Sequence, residues 1–152
     1  MTQETAAQVR GFRFASLAAG IKVSGAPDLA LIFSETPAHC AALFTRNRVK
    51  AAPLLVSEPR VRKGFCQAVL VNSGNANACT GELGMKNARI SALVTAGELG
   101  IKPEHVLVAS TGVIGRPLPM DRLLAGMKSA RAALGRTYEH GLAAEKAAVE
   151  TI

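Results

Sequence analysis

The residues best placed to do chemistry in this chain lie in one stretch, Val106-Leu-Val-Ala-Ser-Thr-Gly-Val-Ile-Gly-Arg-Pro-Leu-Pro-Met120. It reads as a buried strand that runs into a glycine turn and then a helix. Gly112 has no Cβ, so its main chain can adopt conformations closed to other residues and let a ligand come close. The adjacent main-chain amides of Thr111 and Gly112 are expected to converge on one spot, where rigidly held donors stabilise an oxyanion. Two other readings of Ser110-Thr-Gly-Val-Ile-Gly115 stand beside that one. The segment also suits a purely structural strand-to-helix turn, or a phosphate-binding turn, although neither G-x-G-x-x-G nor G-x-x-x-x-G-K-[ST] is present.

A second polar constellation precedes it. Asn72-Ser-Gly-Asn-Ala-Asn-Ala-Cys-Thr-Gly81 crowds three asparagines into a short loop. Asn and Gly tolerate left-handed backbone. The carboxamides are expected to brace nearby main chain, with orientation of a polar substrate as the alternative. No nucleophile stands out. Ser110 has no evident His partner for Ser/His/Asp chemistry, and Cys79 reads as a buried, inert thiol before an activated one. Three cysteines without C-x-x-C spacing indicate reduced, mostly buried thiols. His39, His105 and His140 are scattered, with no metal-ligand spacing, so neither a metal nor another cofactor is expected.

Bringing the two loops together requires particular elements around them. Gln67–Val71 is a near-continuous apolar strand of the kind buried on both faces. A helix is expected from about 82 to 98 with Ile90, Leu93, Val94 and Gly97 on its buried face, and Gly100 as its stop. A strand at 105–110 follows. Pro119 then suits the first turn of a helix whose stripe is Leu123, Leu124, Met127, Ala130 and Leu134, ended by Gly135. If the two strands of this βαβα unit are parallel, both following loops emerge at the same sheet edge, where sites tend to form.

The N-terminal half reads as a β-rich meander with strands near 12–16, 20–25, 28–34, 40–45 and 53–57, Thr36-Pro37 ending the third. A last helix is expected from about 139 to 152. Residues 1–10 read as a loose tail and 11–152 as a single α/β unit, a layered mixed sheet with packed helices. At 152 residues the chain is the size of one domain. With 4% aromatics and no Trp, its core must be built from small aliphatic residues.

The net charge of +7 is densest at Arg46-Asn-Arg-Val-Lys50 and Arg60-Val-Arg-Lys63. No RNP-type aromatic motif or helix-turn-helix pattern accompanies them. They read as solvated loop ends flanking strands, and no nucleic-acid partner is expected. No run approaches the ~18 apolar residues of a membrane span, and the N-terminus lacks a signal peptide's regions. A cytoplasmic location without membrane association is the expectation.

Several segments together carry a family likeness: Gly11-Phe-Arg-Phe-Ala-Ser16, Ala19-Gly-Ile-Lys22, Asp28-Leu-Ala-Leu-Ile32, Phe44-Thr-Arg-Asn-Arg-Val-Lys-Ala-Ala-Pro53, Asn72–Gly81 and Ala109–Met120. In these blocks, over residues 11–152, the chain resembles the N-terminal part of the glutamate N-acetyltransferase / ornithine acetyltransferase family of arginine biosynthesis. The resemblance implies an α/β fold similar to N-terminal-nucleophile hydrolases and D-aminopeptidases. It also implies acetyl transfer from N-acetylornithine to glutamate, with acetyl-CoA as a possible second donor. Thr111 and Gly112 take the position of the family's oxyanion hole.

The family's substrate-binding Thr-Thr-Asp-Thr block and its self-cleaved nucleophilic Thr have no counterpart before Ile152. The resemblance therefore implies a partner, a β-chain or downstream segment carrying that Thr, within an oligomer. Substrate-contacting residues are left unassigned. A non-catalytic scaffold module of the same fold is the alternative reading.

Overall fold

The structure is a computed structural model and describes residues 10–136 and 138–149. Nearly all of the expected tail at 1–10 lies outside the described residues, as does the end of the last helix after Val149. Four strands form one mixed sheet in the order β1 (Phe12–Leu17), β2 (Leu29–His39), β3 (Phe65–Asn72) and β4 (Val106–Ser110). The first three are antiparallel neighbours, and β4 joins β3 in parallel. The expected layered α/β class and the parallel β3–β4 pair are both present.

Strand alternation divides the sheet's residues between two cores. On one face Ala15, Leu29, Leu31, Ala68, Leu70, Val106 and Val108 pack against three helices: α1 (Ala52–Val61), α2 (Gly81–Leu99) and α3 (Met120–Ala132). On the other, Phe14 and Ala30 meet Ala144 of α4 (Tyr138–Val149).

The expected strands at 40–45 and 53–57 are corrected. Residues 40–45 form no strand, and 53–57 lie inside α1. Pro53 stands in the first turn of that helix, where its missing N–H costs nothing. A short apolar run does not distinguish strand from helix by period. Residues 20–25 likewise form bends and turns, held by the buried Asp28 carboxylate, which accepts from the N–H of Ala19 at 2.6 Å and of Lys22 at 2.8 Å. Thr36-Pro37 does not end β2. Its register shifts between Phe33 and Ala38, and pairing resumes to His39.

α1 finishes the sheet. β4 is an edge strand whose outward main-chain groups would otherwise be unpaired. The Ser57 hydroxyl accepts from the Val108 N–H at 3.0 Å and donates to the Val108 carbonyl at 2.9 Å. The Arg60 guanidinium donates to the Val106 carbonyl. The basic cluster at 60–63 spans the end of α1 and the turn into β3, with Arg60 engaged with β4 and Arg62 and Lys63 exposed beside the start of β3.

The buried side of α2 differs from the expectation. Gly84, Asn87, Ala88, Ser91, Ala92, Thr95 and Ala96 are buried, while Leu93 is 58% exposed. Small residues at i, i+4 spacing let the helix pack closely, and of its larger side chains Leu83 and Leu93 face outward while Met85 and Leu99 pack partly against the core. Gly100, in the left-handed region at φ 67°, caps it as expected. In α3, Leu123, Met127 and Ala130 are buried as expected, and the helix ends at Ala132, short of Gly135, whose N–H and carbonyl pair with Phe14.

Cys79 is exposed, against the expectation of burial, and Cys40 and Cys66 are half-buried. Burial first, then the neighbouring Cys40 thiol, pushes the Cys66 thiol up to about 11.

Two measurements check this arrangement. Leu123→Ala should lower unfolding free energy by about 3 kcal/mol, the usual cost of a core cavity, whereas Leu93→Ala should change it by less than about 0.5 kcal/mol; urea titration reads both. At about pH 8, iodoacetamide should alkylate Cys79 at least about tenfold faster than Cys66, because the thiolate is the reacting form. Peptide mapping over time would reveal equal rates if the burial is misassigned.

Candidate functional site

The parallel pairing of β3 with β4 runs at a constant offset from Ala68↔Val106 to Asn72↔Ser110. The same offset reappears beyond the strands as an isolated bridge, Asn75↔Val113. The Asn loop and the Thr-Gly turn are thus two continuations of one ladder, and the sequence expectation that they are neighbours holds.

Their main chains touch. A Cβ on residue 112 would sit 2.5 Å from the Gly74 carbonyl carbon and 2.7 Å from the Asn75 nitrogen, closer than any real contact. Gly112 also has φ 126°, a backbone region that side chains disfavour. Glycine is required there twice over, for conformation and for space.

The three asparagines act on backbone, as the bracing reading expects. The Asn72 carboxamide accepts from the Ser110 hydroxyl at 2.6 Å and donates to the Asn75 carbonyl at 2.9 Å. Asn75 reaches across the turn to the carbonyls of Arg116 and Pro117, at 3.2 and 3.1 Å, while its oxygen accepts from the Asn77 N–H at 2.8 Å. Asn77, left-handed at φ 46°, donates to the Gly84 carbonyl and so anchors the loop to α2. Main-chain bonds from Ala76 to Val113 and from Gly115 to Ala78 complete the junction. The turn is gripped at 110 on one side and at 116–117 on the other.

One expectation about this turn fails. The Thr111 N–H does not point at a common spot with that of Gly112; it donates to the Asn72 carbonyl at 3.1 Å as the last rung of the ladder. The cause is alternation. Val108 turns both its main-chain groups toward α1, so Thr111, an odd number of residues on, turns its N–H toward β3. Adjacent amides of an extended strand diverge. Among the described residues the Gly112 N–H has no intramolecular acceptor, and Gly112 is exposed. Of the two main-chain amides expected to converge, that of Thr111 is therefore committed to the ladder and only that of Gly112 is left without an acceptor among the described residues.

Ser110 donates to Asn72 and not to a His, and the histidines lie elsewhere, His39 against Phe65 and His105 beside Gln67. Among the described residues no group of three His, Cys, Asp or Glu is placed to hold a metal ion, and no helix is long and apolar enough to cross a membrane.

Two features were not found from sequence. A cavity of about 430 Å³ abuts the turn, lined by Lys22, Ser24, Gly74, Asn75, Val113 and Arg116 among others. The loop that contributes Lys22 is placed there by Asp28, 0% exposed, which the sequence showed only as a strand boundary. A groove of about 810 Å³ runs between the starts of α1 and α2, and none of residues 111–116 lines it.

Similarity to known proteins agrees with this geometry. The arginine biosynthesis bifunctional protein ArgJ of Syntrophotalea carbinolica is 60% identical over 116 residues, covering 76% of this chain and 30% of that protein. The ArgJ of Geobacter sulfurreducens is 54% identical over 127 residues, covering 84% and 32%. The chain thus spans about a third of the length of these curated relatives. A crystal structure of ornithine acetyltransferase complexed with ornithine from Mycobacterium tuberculosis matches 97% of this chain and 79% of its own, at 42% identity and TM-score 0.91. The argJ structure from Bacillus halodurans matches 95% and 74%, at 38% identity and TM-score 0.90. Residues 13–152, nearly everything that the structure describes, match the ArgJ family, and the chain belongs to it.

Proposed function

We propose that this chain is the oxyanion-stabilising portion of an acetyltransferase that moves acetyl from N-acetylornithine to glutamate, with the nucleophile supplied by a partner portion. The carrying observation is Gly112: an exposed residue whose N–H has no acceptor among the described residues, on a backbone wedged against Gly74 and clamped at both ends of its turn. Such a donor needs no reorganisation when charge develops.

The chemistry assigns each group a role. A hydroxyl oxygen on the partner attacks the acetyl carbonyl carbon, and the carbonyl electron pair moves onto oxygen. Gly112 N–H and the Thr111 hydroxyl donate to that oxyanion. Collapse expels the ornithine amine, which takes up the proton, and leaves an acetyl ester on the partner. The glutamate amine then attacks the same carbonyl, and the same two donors hold the second oxyanion. Its collapse breaks the ester C–O bond, with the amine's proton passing to the partner's hydroxyl oxygen and N-acetylglutamate leaving. No residue of this chain takes the nucleophile's part.

Lengths and surfaces support a partner. The curated relatives are about two and a half times as long as this chain, whereas the matched crystallised chains are only modestly longer. That difference suits an enzyme built from separate polypeptide portions. On this chain Val49 is 68% exposed and Leu83 49%, and the groove between α1 and α2 is lined by Leu55, Met85 and Ile90 with Lys86 and Arg89. An apolar face of that kind is typical of a protein contact. The occupant assigned to it is the partner portion, and the working enzyme is an assembly.

Two outcomes test the reading. Residues 1–152 alone should show no acetyl transfer from N-acetylornithine to glutamate, and activity should appear on assembly with the remaining portion of the polypeptide; turnover by the isolated chain would overturn the division of roles. In the assembled enzyme Thr111→Ala should lower kcat by about 10²–10³, the usual cost of one oxyanion donor. An unchanged kcat would remove the hydroxyl from the site and leave Gly112 as the only donor.

A further inference from the structure

Two thiols far apart in the sequence meet at the open end of the β2–β3 ladder. Ala38 pairs with Cys66 and His39 with Phe65, and just past β2 the Cys40 N–H still donates to the Gly64 carbonyl at 2.9 Å. Strand alternation puts His39 and Phe65 on one face and Cys40 and Cys66 together on the other. The His39 and Phe65 rings do meet, with centroids 4.5 Å apart. Cys40 and Cys66 are thereby diagonal neighbours, both half-buried, and the Cys40 thiol is close enough to add to the rise of the Cys66 thiol.

Diagonal neighbours of a regular ladder stand about 7–8 Å apart, and a disulfide spans about 4.4–6.8 Å between Cα atoms. The difference is on the order of 1 Å between those two ranges. It falls where the ladder stops, since among the described residues no main-chain bond joins the two strands beyond Cys40 and Gly64. Gly64, left-handed at φ 84°, ends the turn into β3 and holds no further rung.

We propose that Cys40 and Cys66 are a modification site, a dithiol that hydrogen peroxide closes into a disulfide. The Cys40 thiolate attacks the O–O bond and becomes a sulfenic acid; the hydroxide released takes up a proton as water. The Cys66 sulfur then attacks the sulfenic sulfur. The S–S bond forms, the S–O bond breaks, and a second water leaves. Two thiols lose two electrons between them, and one peroxide is reduced to two waters. Burial first, then the Cys40 thiol, keeps Cys66 protonated near neutral pH, which makes it the poorer first nucleophile and assigns it the resolving step.

The bond closes the base of an excursion that carries the exposed Leu43 and the whole of α1. Since α1 covers the β4 edge through Ser57 and Arg60, the modification staples the element that finishes the sheet. Cys79, exposed on the loop after β3, takes no part. The inference stands apart from the acetyl-transfer reading.

The test treats the assembled enzyme with a small molar excess of hydrogen peroxide, blocks free thiols with iodoacetamide and digests with chymotrypsin without reduction. Cleavage after Leu70 separates Cys66 from Cys79. The Cys40 and Cys66 peptides should appear joined, two hydrogens lighter than their sum, and dithiothreitol should release them. The thermal midpoint of the oxidised enzyme should rise by about 5 °C, because a cross-link restricts the unfolded chain, and Cys66→Ser should abolish that rise. In Cys66→Ser, dimedone should label Cys40 as the sulfenic acid.

Recovery of Cys40 and Cys66 both alkylated, or of either joined to Cys79 or to a partner cysteine, would overturn the proposal. An equal or lower midpoint in the cross-linked enzyme would also overturn it, by marking a bond made against the native packing. Absence of the dimedone adduct would overturn the order of the two steps. The cross-link is read on the parent enzyme, so the test stands even where Cys66→Ser does not fold.

Discussion

The parallel β3–β4 ladder is the constraint on which the rest depends. Its offset does not stop at Asn72 and Ser110 but continues to Asn75 and Val113, so two loops remain in register after their strands have ended. Parallel strands cannot be joined by a tight turn and need a crossover, which here is α2. Each end of α2 is then fixed to the sheet by different means. Asn77 ties its start to the loop through the Gly84 carbonyl, and Gly100 turns the chain back toward β4. With β4 held from outside by Ser57 and Arg60, the end of that strand has little freedom left.

A junction made of main chain against main chain demands small residues and local satisfaction of polar groups. Gly112 fits because nothing larger would clear the Gly74 carbonyl carbon. The asparagines fit because a carboxamide can accept and donate at once, and in a loop buried away from water each carbonyl must find such a partner. Rigidity at the turn thus comes from side chains that spend their hydrogen bonds on backbone. The same expenditure explains why Asn72 and Asn75, buried and fully engaged, are poor candidates for substrate contact.

Much of this was legible in the sequence, for physical reasons that differ by element. The βαβα order was clear because Gln67–Val71 and Val106–Ala109 are apolar on both faces and a long 3.6-period stretch separates them. The α1 helix was not, since Pro53-Leu-Leu-Val-Ser57 is too short and too evenly apolar to reveal its period. The buried face of α2 is hidden in the sequence because hydrophobic size marks Ile90, Leu93 and Val94, whereas close packing selects Ala88, Ala92 and Ala96 and the Asn77–Thr80 loop requires Gly84. Similarity of sequence blocks reached the family directly. It could not reach the direction of the Thr111 amide, which depends on the phase of the ladder and is not encoded in any residue type.

That phase has a consequence for why a threonine stands at 111. With its N–H committed to Asn72, a residue there can serve an oxyanion only through its side chain, and a main-chain pair is unavailable whatever the residue. A hydroxyl on a β-branched side chain has a restricted χ1, so less rotamer freedom is lost when it holds one direction. Serine would offer the same chemistry with a looser rotor, and alanine none. Preorganisation is most of what such a donor contributes. Under the proposed function the task is then divided between Gly112, through the main-chain N–H of an exposed residue, and a stiff hydroxyl one residue before it.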